Sequence, residues 1–447
     1  RTYYHFGNRI DMSTRLLDNT TAEEKLIGYS LMLTYPVYIL GGLYVLGSVL
    51  GWFVFAILLL RAYVSGEKIQ VPLMAWIWIL GMLLMAWSLC MGHLNYDLGL
   101  GQWIKSMIGW AKGWALMALF IFLGAVLPFK RALIARAACI LGLHTLIFFV
   151  ISVLVLLVGL SGDIYLSPLK AIGGPGEEFF QVKLFGVNPE TGRARWQFFA
   201  PWSPAIGLQS CLLLLICLQE ENKRWRLLGV VGALCLCVFA QSRAGWVIFI
   251  AILPLVFFLS RLQDPLILLV GAIVAALVIL LGQPIIEFAF DSYQQIKESR
   301  PDSTRVRSAL ASIALQRWEH EAPIWGHGIV ERGPKMVEHM AIGTHHSWLG
   351  LLFVKGLVGL FALALPMFLS FFYLLFIAQK SPSARSALGM IVVLIAYSFF
   401  ENLEILAYLY WPALLWIGTS FNPAKEAVEE TAPLPQDYSP LLNEVKA

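Results

Sequence analysis

The chain has 447 residues, 59% of them hydrophobic and only 13% charged, with a net charge of +4. A soluble globular domain carries roughly 25% charged residues, so half that fraction combined with long apolar runs makes the lipid bilayer the solvent. The dispersed positive charge excludes a nucleic-acid-binding stripe. The six cysteines, at 90, 139, 211, 217, 235 and 237, all lie in apolar stretches and give neither a disulfide framework nor a zinc site.

A membrane helix needs roughly 20 mostly apolar residues. The polar segment from Arg1 to Lys25 precedes the first apolar run, and no signal peptide is expected in it. The run from Leu26 to Tyr63 is too long for one span and is divided by Gly41-Gly42, so it predicts two spans and a tight turn. Further spans are predicted at 71–91, 107–127, 135–160, 203–220, 226–241, 244–260, 265–286, 348–378, 387–400 and 404–420. The expectation is an all-α polytopic membrane protein of about twelve transmembrane helices forming a single membrane domain over 1–447. A polar segment over 161–202 and a larger one over 287–347 are the long connections, and 422–447 is a polar tail. A helical stretch is expected within the second, from Thr304 to Glu321.

Orientation follows from Lys and Arg in the short loops. With the N-terminus in the cytoplasm, the inner loops carry Arg61 and Lys68; Lys130, Arg131 and Arg136; Lys223, Arg224 and Arg226; Arg261; and Lys380 and Arg385. The turns at Gly41-Gly42 and after Phe400 carry none. Both long connections and the active site then face the periplasm, and both termini the cytoplasm of a bacterial inner membrane.

Five of the eight histidines, His320, His327, His339, His345 and His346, fall in the second long connection, together with Arg300, Arg305, Arg307, Arg317 and Arg332. Histidine transfers protons near neutral pH, and arginine grips phosphate while keeping its charge. This pairing points to group transfer on a phosphate-bearing substrate, against the alternative of a merely solvated loop. Arg243 sits in a short turn, Gln241-Ser-Arg-Ala-Gly-Trp246, between two apolar runs. A charge at membrane depth marks a functional site, and snorkelling to headgroups is the competing explanation. Glu319 and Glu321 do not share a helix face, Glu401 and Glu404 stand at an outer turn, and His320 and His327 lack zinc-ligand spacing. Trp196, Trp202, Trp325 and Trp348 flank the loops as an interfacial belt or as sugar-stacking platforms.

Three segments in order resemble the O-antigen ligase and O-antigen polymerase superfamily. They are Ser242-Arg243-Ala-Gly-Trp246; Arg305-Val-Arg307 followed by Pro323-Ile-Trp-Gly326-His-Gly328; and His345-His346 with Gly356-Leu-Val-Gly359. The resemblance covers roughly the C-terminal half. It implies a GT-C-like glycosyltransferase that moves a glycan from undecaprenyl diphosphate onto an acceptor glycan, without metal or cofactor, with membrane lipids around it and no nucleic acid. In it Arg243 and either Arg305 or Arg307 bind the diphosphate, and His345 or His346 is the catalytic base. Spacing to Gly356 favours His345, while residue type favours His346 followed by Ser347. Gly356 and Gly359 are expected to let helices pack closely. A ligase of lipopolysaccharide assembly is favoured over a polymerase of O-antigen, capsule or exopolysaccharide repeat units. The alternative of another class is a lipid or polysaccharide transporter, which predicts polar, broken helices at the midplane.

Overall fold

The computed structural model describes residues 21–188, 192–284, 287, 301–343 and 346–422. Four expectations lie outside these residues: the polar N-terminal segment up to residue 20, the tail from 423, Arg300, and His345.

The first apolar run folds as α1 (Ala22–Met32), α2 (Thr34–Ile39) and α3 (Leu43–Ser65). Thr21 and Glu24 close a reciprocal capping box on α1. Gly41 turns the chain at φ 67° between α2 and α3. Then come α4 (Leu73–Asn95), α5 (Leu100–Lys112), α6 (Trp114–Val126), α7 (Arg131–Leu157), α8 (Ser203–Cys217), α9 (Lys223–Phe239), α10 (Arg243–Leu259) and α11 (Pro265–Leu280). The last four are α12 (Pro301–Glu321), α13 (Ser347–Ala378), α14 (Pro382–Tyr397) and α15 (Leu403–Thr419). Among the described residues five helices are long and apolar enough to cross a bilayer: Leu43–Ser65, Leu73–Asn95, Leu100–Val126, Arg131–Leu157 and Ser347–Ala378. Five apolar helices, α8, α10, α11, α14 and α15, are shorter, at 15–17 residues. The protein is therefore a helical, polytopic membrane protein. The helix predicted from Thr304 to Glu321 is present as α12.

Hydrogen bonds sort the helix ends into two faces. On one face the Lys130 amide donates to Glu24 (2.9 Å), Arg61 pairs with Glu23 (3.7 Å), and Asn422 donates to the Ala125 carbonyl (3.1 Å). Arg136, expected in a basic loop, is instead buried within α7. Its guanidinium forks onto Glu220 at 2.9 and 2.7 Å and lies over the Trp225 ring. A buried charge persists only when paired in this way.

The opposite face is organised by the first long connection, which contains two small antiparallel strand pairs. In one, β1 (Asp163–Leu166) runs against β2 (Gln181–Lys183); in the other, β3 (Gly186–Val187) runs against β4 (Ala194–Arg195). Tyr165 and Ser167 donate to the carbonyls of Ile39 (2.6 Å) and Leu40 (3.4 Å), and Tyr38 donates to Lys183 O (2.9 Å). Trp196 donates through its amide to Phe239 O and through its indole to Ser152, and Trp202 donates to Glu401. With Trp348 bonded to Ser398, three of the four loop tryptophans pin helix ends together, so the belt reading does not describe them.

The helix predicted over 348–378 is broken. Gly356 stands at φ 60° and ψ −161°, a conformation open only to glycine, and divides α13 in two. The break strands carbonyls above it and amides below it, and the Pro323–Gly328 stretch supplies their partners. The amides of His327 and Gly328 donate to Phe353 O and Val354 O (both 2.9 Å), while Leu357 and Val358 donate to Pro323 O (3.0 Å) and Ile324 O (3.2 Å). A Cβ on Gly326 would collide with the backbone of Val354 to Gly356, and one on Gly328 would stand 2.9 Å from the His93 amide. A Cβ on Gly359 would collide with that of Lys355. The signature glycines thus shape a broken helix and the loop that splints it, in place of the expected close packing of whole helices.

Candidate active site

Arg243 is the first residue of α10. Ser242 caps that helix by accepting the Gly245 amide (3.2 Å), and the Trp246 indole donates to Cys237 O (2.8 Å) across the turn. The turn is gripped from outside by β4. Arg195 donates to the carbonyls of Ala240 (3.0 Å) and Gln241 (3.3 Å), and Gln241, at φ 53°, donates to Ala194 O (3.2 Å). Arg243 itself is exposed. Arg243 and Arg195 thus place two guanidinium groups at the N-terminal end of α10.

The two α12 arginines part company. Arg305 donates to Met336 O (3.2 Å), whereas the charge of Arg307 acts on Glu401. Residues two apart on a helix point roughly 200° apart, so only one of them can face the α14–α15 turn. At the far end of α12, Arg317 binds Glu321 (2.9 Å) and Glu331 (2.5 Å). The Arg317 hydrogen bond, aided by His327, holds the Glu321 carboxyl down at about 2. His327 is buried between the rings of Tyr96 and Phe353, with its nitrogens 2.9 Å from Phe353 O and 2.8 Å from Glu321. Among the described residues no three His, Cys, Asp or Glu side chains are placed to hold a metal ion.

His346 caps α13. Its Nδ1 accepts the Leu349 amide (3.4 Å), and its ring stands edge-on to Phe399. Burial pushes the imidazole below its ordinary range. The cap contact engages Nδ1 and leaves Nε2 as the nitrogen turned to other partners. The next residue locks the helix head in place: Ser347 Oγ donates to Glu401 O (2.7 Å) and accepts the Leu403 amide (3.0 Å). Glu401 is itself 1% exposed and receives the Trp202 indole at 2.8 Å.

Burial raises the Glu401 carboxyl from 4.5 to about 7, against the lowering pull of Trp202 and the Arg307 charge. An acid raised on folding contributes stability below its unfolded pKa and loses it as pH rises through the folded one. The protein should therefore lose stability on the order of 3 kcal/mol between pH 4.5 and 7 through this group. Glu401→Gln should flatten that part of the profile and raise the melting temperature at pH 8. Melting curves in detergent from pH 4.5 to 8 check this, and an unchanged slope in the variant refutes it.

Residues 228–364 match the family model described as O-antigen ligase. Over that segment, less than half of the chain, the protein is similar to the O-antigen ligase family. The match takes in Arg243, α12, the Pro323–Gly328 splint, the head of α13 and the Gly356 break, so all three segments of the resemblance fall within it. The similarity points to a membrane enzyme of glycosyltransferase type. No curated protein matches the chain.

The arrangement brings together Glu401 and the head of α13, and clamps the Arg243 turn with the first long connection. Sequence reasoning passed over Arg195, which resembles any loop arginine until β4 is seen to grip the turn. It also passed over Lys355, although a lysine inside a long apolar run is a signal for function in its own right.

Proposed function

We propose that the protein transfers an undecaprenyl-diphosphate-linked oligosaccharide or polysaccharide onto an acceptor glycan at the periplasmic face of the inner membrane, as an O-antigen ligase of lipopolysaccharide assembly. The carrying observation is the set of short, cross-braced turns that hold Arg243 at the start of α10 and lock the capped head of α13 to Glu401. The acceptor hydroxyl attacks the anomeric carbon, the new glycosidic C–O bond forms, and the bond to the diphosphate oxygen breaks with inversion. His345 takes the hydroxyl proton, and its neighbour His346 is spent as a helix cap. Arg243 and Arg307 neutralise the charge that builds on the departing undecaprenyl diphosphate. Arg307 is preferred to Arg305 because its charge acts on Glu401, while Arg305 donates to Met336 O. The basic residues Arg61, Lys130 and Arg131 lie on the opposite face, which supports the periplasmic orientation.

The test uses purified protein in chelator with an undecaprenyl-diphosphate-linked oligosaccharide and either lipid A core or a second lipid-linked repeat. Lengthening of lipid A core on a gel is the ligase result, and lengthening of the lipid-linked repeat assigns polymerisation. Movement of donor across vesicles without transfer to any acceptor replaces the enzyme with a transporter.

A further inference from the structure

The stretch from Ala194 to Trp202 holds two parts of the candidate site at once. At its start, Arg195 donates to the carbonyls of Ala240 and Gln241, Gln241 donates back to Ala194 O, and the Trp196 amide donates to Phe239 O. These bonds grip the backbone that runs directly into Ser242 and Arg243. At its end, immediately before α8, the Trp202 indole donates to the Glu401 carboxyl (2.8 Å). The Glu401 carbonyl accepts Ser347 Oγ, and the Ser347 amide donates to Ser398 O (2.9 Å). Ser347 is the first residue of α13 and follows His345 and His346 in the chain. Between the two ends Phe198 and Phe199 are fully buried, and Phe198 holds a left-handed φ of 50°. Such a backbone persists only where its surroundings over-determine it, so the stretch is stiff. A continuous path of hydrogen bonds and packed backbone thus runs from the Arg243 turn to the head of α13.

The joint of this path is the bond from Trp202 to Glu401. Glu401 is buried, and a buried carboxyl is costly unless it is hydrogen-bonded. An apolar side chain would fill the same space in the α14–α15 turn at lower cost, but it would give the indole no acceptor. We propose that Trp202 and Glu401 are positioning residues of the site: their hydrogen bond sets the separation between Arg243 and the head of α13. The assignment rests on the glycosyl-transfer reading and deepens it. The first long connection becomes a strut of the active site, and neither residue needs to touch substrate. A misplacement of about 1 Å caused far from the reacting atoms can lower a rate by about 100-fold, so one hydrogen bond at the joint is enough to matter.

Trp202→Phe deletes the donor and keeps an aromatic ring. Glu401→Leu deletes the acceptor, and Glu401→Gln removes the charge but keeps an acceptor oxygen. The first two should lower kcat by about 10- to 100-fold, with KM for donor and acceptor glycan held within a few-fold. Glu401→Gln should stay within a few-fold of wild type. Because both changes break the same bond, the double variant Trp202→Phe/Glu401→Leu should lose no more than the worse single variant. A purely structural bond predicts lower melting temperatures with kcat per folded enzyme unchanged. Position is read without turnover by electron–electron resonance between nitroxides carried at Val247 on α10 and Phe400 in the α14–α15 turn, both exposed. The distance distribution should shift or widen in Trp202→Phe and keep its wild-type form in Glu401→Gln. Wild-type protein that transfers nothing while these distances behave as stated fails the glycosyl-transfer reading and leaves the strut standing. Should Glu401→Leu not fold, Trp202→Phe carries the test. An unchanged distance or an unchanged kcat in Trp202→Phe, or a loss in Glu401→Gln equal to that in Glu401→Leu, overturns the proposal.

Discussion

Substituting His345 by Ala is expected to lower glycan transfer by about 100- to 10,000-fold, with insertion and melting behaviour unchanged. Arg243→Ala should cost about 100- to 1,000-fold, because it removes a preorganised positive charge from the leaving group. His346→Asn is the control. Asparagine is a favoured helix cap and keeps an acceptor for the Leu349 amide, so this variant should retain activity within about tenfold of wild type. Initial rates at saturating donor and acceptor decide the matter. Full activity in His345→Ala together with loss in His346→Asn reverses the assignment and makes the capping histidine the base. The arginine pair is read the same way: Arg307→Ala should lose far more activity than Arg305→Ala, because the Arg307 charge acts on Glu401.

Gly356→Ala is the substitution expected to do most harm to the folded protein. The backbone there, at φ 60° and ψ −161°, is open only to glycine. A methyl group would also drive into the Ile324 carbonyl. Strain of about 1–3 kcal/mol adds to overpacking of about 1–3 kcal/mol, against a total stability of about 5–15 kcal/mol for a typical protein. Gly66, also at positive φ (68°) but with nothing within 4 Å of an added Cβ, isolates the strain. Gly66→Ala should lower the melting temperature by only a few degrees, whereas Gly356→Ala should leave little monodisperse protein on size exclusion. Equal behaviour of the two variants removes the collision from the account.

The membrane helices were legible because apolar length is a one-dimensional property. The Gly-x-x-Gly pair was noticed and misread. A glycine's φ is invisible in sequence, so a residue that breaks a helix looks like one that lets two helices touch. Arg136 was placed in a loop because its partner, Glu220, is distant in the chain. Arg305 and Arg307 were inseparable by spacing, and only the face each presents to the α14–α15 turn tells them apart. The apolar runs gave about twelve spans, of which five are long enough by themselves among the described residues. Helices such as α8 and α14, at 15 and 16 residues, fall short of the roughly 20 that a perpendicular span requires.

The splinted break in α13 also decides how this protein can be recombined with its relatives. Four backbone hydrogen bonds make residues 323–328 part of the hydrogen-bond ladder of α13, although they reach it from a distant part of the chain. A chimera that exchanges the long connection alone would leave the carbonyls of Phe353 and Val354 and the amides of Leu357 and Val358 without matched partners inside an apolar bundle. The connection and the first half of α13 therefore form one indivisible cassette, and crossover points that respect it lie before α12 and beyond Gly359.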